Sequence, residues 1–333
     1  MRCVSKLSLI AFFLVGCAGA PKLEKAVSGE DARLHHYSYP YEVKSYGFKS
    51  QQQDVEMAYM DVIPKQGYQK TMVLFHGKNF LGAYFEDIIQ KLSEKGYRVI
   101  VPDQIGFGKS SKPANYQYSF QQLAVNTDEL LKSLKVEKFE LFGHSMGGML
   151  ATRYALMFPD KVTKLYLVDP IGLEDWKTMT SYRTVDENYQ AELKKTAEDI
   201  KQYQVKSYYD GGWMPKYQKW IEFQVAWLKG PDYPLIAWTS ALTSDMIFTQ
   251  PVFYEFKNLK MPVILMIGEK DRTAIGKAWA LEPMKSRMGN YPAMGKQVAK
   301  MIPHAKLVLL PGVGHLPFVE NFNEFWKAFE KQW

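Results

Sequence analysis

Apolar and polar positions along this chain follow two periods. Over 41–49 and over 55–63 they alternate, which predicts two antiparallel strands with Gln51, Gln52, Gln53 and Asp54 at the turn. The pattern then changes to strand, helix, strand, helix. Thr71, Met72, Val73, Leu74 and Phe75 form a continuous apolar run, as expected of a strand buried on both faces. Residues 84–95 have helical period, with Phe85, Ile88, Ile89 and Leu92 on one face and Gly96 closing the helix. Strands are predicted over 97–101, 139–142 and 165–168, and helices over 120–134 and 148–156.

The alternation stops after Asp169-Pro170 and resumes at 259. The intervening 171–258 is rich in Trp and Tyr and has helical stretches at 187–203 and 216–228. Then come a strand over 263–267, a helical region to about 301, a strand over 306–310 and a closing helix near 320–331. The economical reading is an α/β core of 41–170 and 259–333, a mostly parallel sheet flanked by helices. The insert 171–258 is then a helical cap over the carboxyl edge of the sheet, where open α/β folds place their ligands. Polar, charged residues ahead of the core predict a tether over 17–40.

The N-terminus reads as a targeting segment. Arg2 and Lys6 are positive, and an apolar stretch over 7–15 is short for a membrane span. Leu14, Val15, Gly16 and Cys17 follow, and resemble the lipobox of bacterial lipoproteins. The expectation is a signal peptide over 1–16, lipidation of Cys17 and a membrane anchor through that lipid. Cleavage after Ala18, Gly19 and Ala20 is the alternative. Ala18 lacks the aspartate associated with inner-membrane retention, which points to an outer-membrane address if the source is Gram-negative. Cys3 leaves with the signal, so the folded part has no thiol and no disulfide. The net charge of +7 is dispersed among acidic residues and carries no recognition motif, so no nucleic-acid partner is expected. No His or Cys pair has metal-ligand spacing, and neither a metal nor a cofactor is expected.

The chemistry concentrates at Gly143, His144, Ser145, Met146 and Gly147. A G-x-S-x-G between a strand and a helix is a nucleophile elbow, which presents the serine at the carboxyl end of the strand. A serine hydroxyl needs a general base, and the base needs an orienting acid. His315 follows the last strand and opens onto the same edge. Asp271 follows the strand over 263–267 and is the expected acid, and Asp169, which ends the previous strand, is its rival. His304 precedes a strand and belongs at the opposite edge. The oxyanion donors expected are the backbone N–H groups of Met146 and of Lys78, with Asn79 behind Lys78. The 103–110 loop has a G-x-G but lacks the remainder of a phosphate-binding signature, so it reads as a structural loop near the pocket.

His76-Gly77, the 103–110 loop, the elbow, Asp271 and Gly314-His315 together resemble the α/β-hydrolase superfamily over roughly 40–333. The similarity is greatest to its capped epoxide-hydrolase-like and esterase-like branch. It implies an eight-stranded sheet with the cap after strand 6. Epoxide hydrolases and haloalkane dehalogenases carry aspartate where this chain has Ser145, which argues against their chemistry. Met146 replaces the tryptophan of proline iminopeptidases. The expectation is a serine hydrolase acting on a small apolar or aromatic carbonyl compound, a carboxylic ester by default. Carbon–carbon hydrolysis and perhydrolase activity share this machinery. A non-catalytic ligand-binding module is the alternative of another class.

Overall fold

The computed structural model describes residues 28–333. The expected signal peptide and the Cys17 lipidation site lie outside the described residues. Eight strands form one sheet: β1 (Val43–Ser50), β2 (Gln53–Val62), β3 (Lys70–Phe75), β4 (Tyr97–Pro102), β5 (Phe139–His144), β6 (Val162–Val168), β7 (Val263–Gly268) and β8 (Ala305–Leu310). Their order is β1-β2-β4-β3-β5-β6-β7-β8. β2 runs antiparallel to β1 and β4, and the remaining neighbours are parallel. The alternate faces of β3 enter different cores. Met72 and Leu74 pack with helix α1 (Glu86–Glu94) and the C-terminal Phe325 and Phe329. Val73 and Phe75 pack with α2 (Phe120–Ser133) and α3 (Met146–Met157). Each predicted strand is present: β1 and β2 show through their alternation, and the inner strands because strands covered on both faces read as unbroken apolar runs.

The insert after β6 contains α4 (Val185–Leu193), α5 (Ala197–Ser207), α6 (Lys219–Leu228) and α7 (Tyr233–Thr249). The single helix expected over 187–203 is two. Thr184 with Glu187 and Thr196 with Asp199 each form a capping box, and the second restarts the helix at Ala197. The chain ends with α8 (Met284–Arg287), α9 (Tyr291–Met301), α10 (Pro317–Glu320) and α11 (Phe322–Glu330). Among the described residues, no helix is long and apolar enough to cross a membrane.

The described part of the expected tether, residues 28–40, is packed rather than free. Leu34 is fully buried against Leu81, Ala83 and Phe223. Trp227 Nε1 donates to Asp31 O at 3.1 Å, and Ala32 N donates to Asp232 Oδ2 at 2.9 Å. Tyr39 OH donates to Asp103 Oδ2 at 2.5 Å. A Cβ added to Gly230 would lie 1.8 Å from Glu30 O, so the two backbones touch. The segment thereby joins α6 of the cap to the 103–110 loop of the core. Its buried side chains occur singly among polar ones, so no periodicity marks it.

Candidate active site

Ser145 sits between the end of β5 and the start of α3, with φ 56° and ψ −122°. A non-glycine residue there stores about 1–3 kcal/mol of strain, retained only where the surroundings enforce it. The glycines show what enforces it. A Cβ on Gly143 would meet Gly147 O at 2.3 Å, and one on Gly147 would meet Phe75 O at 2.1 Å. α3 is thereby drawn against β3 and β5.

Ser145 Oγ lies 2.9 Å from His315 Nε2. His315 Nδ1 lies 2.6 Å from Asp271 Oδ2, and Thr273 N donates to Asp271 Oδ1 at 2.8 Å. His315 and Asp271 are fully buried, and Ser145 is 6% exposed. Ser145, His315 and Asp271, predicted from separate stretches of sequence, are therefore one connected chain. Asp169 is close by but does not bond to the imidazole. Its Oδ1 accepts from Gly268 N at 2.7 Å, and its side chain contacts that of Asp271.

A second network, built on His76, Tyr84 and His144, fixes the parts around the serine. His144 Nε2 bonds His315 O at 2.7 Å, and a carbonyl can only accept, so Nε2 carries the proton. Burial holds the His144 pKa well below the usual histidine value, so Nδ1 is free to accept from Tyr84 OH at 2.8 Å. Tyr84 OH in turn accepts from Gly77 N at 2.9 Å. His76 Nε2 accepts from Gln104 N at 3.1 Å, leaving Nδ1 to donate to Gly77 O at 2.9 Å. The peptide on each side of Gly77 is thus tied down. Gly77 C=O and Lys78 N–H share one planar trans peptide and point in opposite directions. With the carbonyl turned toward His76, Lys78 N–H faces the other way. A Cβ on Gly77 would lie 3.4 Å from Ser145 Oγ, which puts this loop beside the nucleophile. Met146 is the first residue of α3, so its N–H has no acceptor within the helix.

The cap closes the site. The Tyr208 ring stacks on His315 at 4.6 Å between centroids, and His315 N donates to Tyr208 O at 2.9 Å. Lys78 Nζ reaches α7, donating to Ser240 Oγ at 2.8 Å, and burial pushes its pKa down to about 8. A cavity of about 700 Å³ opens beside Lys78, Asn79 and Tyr203, with Ile200, Ile247 and Phe248 among its apolar walls. Asn79 Nδ2 donates to Tyr208 OH at 2.9 Å, so one residue of the cavity wall touches the ring stacked on His315, while Ser145 and His315 themselves lie outside the lining. Sequence reasoning missed Tyr84, Tyr208 and Glu320. Glu320 accepts from Gly314 N at 2.9 Å and from Leu316 N at 3.2 Å, bracketing His315. Among the described residues, no group of three His, Cys, Asp or Glu side chains could hold a metal ion.

An eight-stranded sheet of this order, with a strained serine after β5 and a cap after β6, defines a class of hydrolase. A family model for the alpha/beta hydrolase fold matches residues 70–322, and the chain belongs to that family. It is 25% identical over 327 residues to Lipase 1 of Psychrobacter immobilis, covering 97% of this chain and 95% of that one. It is 25% identical over 335 residues to Lipase 3 of Moraxella sp. (strain TA144), covering 98% of each. The crystal structure of a probable hydrolytic enzyme from Pseudomonas aeruginosa PAO1 is similar at 50% identity and a TM-score of 0.90, covering 92% of this chain and 98% of that one. The chain is a hydrolytic enzyme with lipase-like relatives.

Proposed function

We propose that this enzyme cleaves carboxylic esters through an acyl-enzyme formed on Ser145. The observation that carries the reading is the unbroken chain from Ser145 Oγ through His315 to Asp271. Ser145 Oγ attacks the carbonyl carbon while His315 Nε2 takes its proton. Asp271 holds the proton on Nδ1 and stabilises the imidazolium as it forms. The N–H groups of Met146 and Lys78 stabilise the oxyanion, and the helix dipole of α3 adds positive potential there. His315 returns the proton to the departing alkoxide. Water then attacks the acyl group by the same route and frees the serine.

The test is labelling of the folded protein by a fluorophosphonate probe. Labelling of wild type and its loss in Ser145→Ala is the expected result. An unlabelled wild type, or equal labelling of the variant, overturns the reading. We also propose that the chain is exported and lipidated at Cys17, on the strength of the Leu14 to Cys17 signature. Mass spectrometry of the mature N-terminus decides this, and an unmodified start at Pro21 refutes it.

A further inference from the structure

We propose that the cap cavity binds an anionic head group, so that the ester cleaved is an acidic amphiphile with an apolar chain and a carboxylate or phosphate. This rests on the hydrolase reading above. The cavity is lined by seven cationic side chains against two carboxylates, Glu192 and Asp199. Glu192 is already engaged, because Lys195 Nζ contacts both its oxygens at 2.7 Å. Three of the other cations bond or stack with uncharged groups. Arg183 stacks over the Trp279 ring at 3.9 Å, and Lys277 Nζ donates to Met288 O at 2.8 Å. Arg272 Nη1 donates to Glu269 O at 3.0 Å and Asp271 O at 2.6 Å. On the loop beside the serine, Lys78 Nζ donates to the carbonyl and hydroxyl of Ser240, with the Glu192 carboxylate acting on it electrostatically. An ammonium has three donors, so one remains for a ligand. The excess positive charge in a walled cavity concentrates anions there, and the apolar wall receives a chain.

Four amphiphiles with one ten-carbon chain test this: decanoate, decyl phosphate, decanol and decyltrimethylammonium. Binding to wild type is measured by calorimetry, and competition by inhibition of p-nitrophenyl butyrate hydrolysis. The expected result is anionic heads at least tenfold tighter than decanol, the cation weakest, and competitive inhibition. Decanoate against decyl phosphate distinguishes carboxylate from phosphate recognition. Raising NaCl to half molar, or the double variant Lys206→Glu, Lys277→Glu, should shrink the tenfold gap to twofold or less. Equal binding of all four heads, or anion binding that does not compete with the ester, overturns the proposal. If wild type fails to hydrolyse the ester, the hydrolase reading is at fault, and the order of calorimetric affinities still decides the head group.

A separate observation concerns Asp169. We infer that it is a neutral carboxylic acid that donates a hydrogen bond to Asp271, making it a positioning residue for the triad. It is fully buried, its Oδ1 accepts from Gly268 N, and no donor reaches its Oδ2. Its contact is the Asp271 carboxylate, which faces His315 Nδ1 and Thr273 N and is needed as an anion. Two touching carboxylates do not both ionise, so the proton belongs on Asp169 Oδ2. Glu320 also bears on Asp169 electrostatically, and Asp169 on Tyr291. Burial, with the charge on Asp271 next, pushes the Asp169 pKa well above the usual carboxylate range.

Asp169→Asn preserves both bonds of a neutral acid, since its oxygen accepts from Gly268 and its NH2 donates to Asp271. The expected kcat is within threefold of wild type, with the acid limb of kcat/KM unmoved. Asp169→Ala removes the donor and should lower kcat at least thirtyfold. An Asn variant as damaged as Ala, or one whose acid limb moves by more than half a pH unit, overturns the assignment. If the Ala variant does not fold, the Asn pH profile decides alone.

Discussion

Replacing Asp271 by Asn keeps the shape of the site and reverses one hydrogen bond. Asp271 Oδ1 accepts from Thr273 N, and Oδ2 faces His315 Nδ1 at 2.6 Å. An asparagine whose oxygen still accepts from Thr273 presents its NH2 to Nδ1. The imidazole must then carry its proton on Nε2, facing Ser145, where it cannot act as a base. Flipping the amide restores the productive tautomer but sets NH2 against Thr273 N–H. An unpaired buried donor costs about 1–3 kcal/mol, so about 1–20% of molecules hold the productive arrangement. The remaining loss comes from the missing negative charge beside the imidazolium. The two effects together predict a fall in kcat of about 10⁴, or about 5.5 kcal/mol. The assay is steady-state hydrolysis of p-nitrophenyl butyrate, with a melting curve to show that the fold is intact. A variant within tenfold of wild type would refute the assignment of Asp271 and the tautomer reasoning with it.

Other perturbations probe the scaffold. Gly147→Ala places a Cβ 2.1 Å from Phe75 O, which is backbone and cannot rotate away. Such overpacking should cost about 3 kcal/mol or more, read as a lower melting temperature with activity lost together. Leu34→Ala removes a fully buried side chain from its contacts with Leu81 and Phe223, and about 2–5 kcal/mol is expected in denaturant unfolding. An unchanged midpoint would mean that the 28–40 segment is dispensable. Glu320 has its pKa raised by burial to about 7 from the ordinary 4.5, so the folded state holds this proton more tightly than the unfolded chain. Its contribution to stability is full below pH 4.5 and is lost as pH rises through about 7. Glu320→Gln keeps an acceptor for Gly314 and Leu316 and should flatten that part of the stability profile. A Gln variant with the wild-type slope would exclude Glu320 as its source.

Much of this architecture is legible in the residues. The strands are readable because helices cover both sheet faces, and the elbow because its glycines and serine are fixed in type and spacing. His315 and Asp271 follow from their places after β8 and β7. Their pairing, and the position of Asp169 beside rather than within it, requires distances that strand order does not supply. The longest cap helix, α7, is hard to read because the polar stripe of Thr239, Ser240, Thr243 and Ser244 is made of small hydroxyls, with no charged face to reveal a period. His76 and His144 look like spare histidines in sequence. Their value is in two tautomers set by backbone carbonyls, a property of the folded chain alone. The cationic cavity is hidden for another reason. Lys78, Arg183 and Arg272 are far apart in sequence and become one lining only when the cap is in place.

The packing of the 28–40 segment has a kinetic consequence. The roof over the serine is riveted at separate points: to the N-terminal segment through Trp227 and Asp232, to the loop after β3 through Ser240 and Lys78, and to the base itself through Tyr208. Lipases with swinging lids wait for an oil–water boundary before they open. A riveted roof gives such a boundary nothing to lift. Hydrolysis should therefore rise smoothly with substrate concentration, with no jump where monomers give way to micelles.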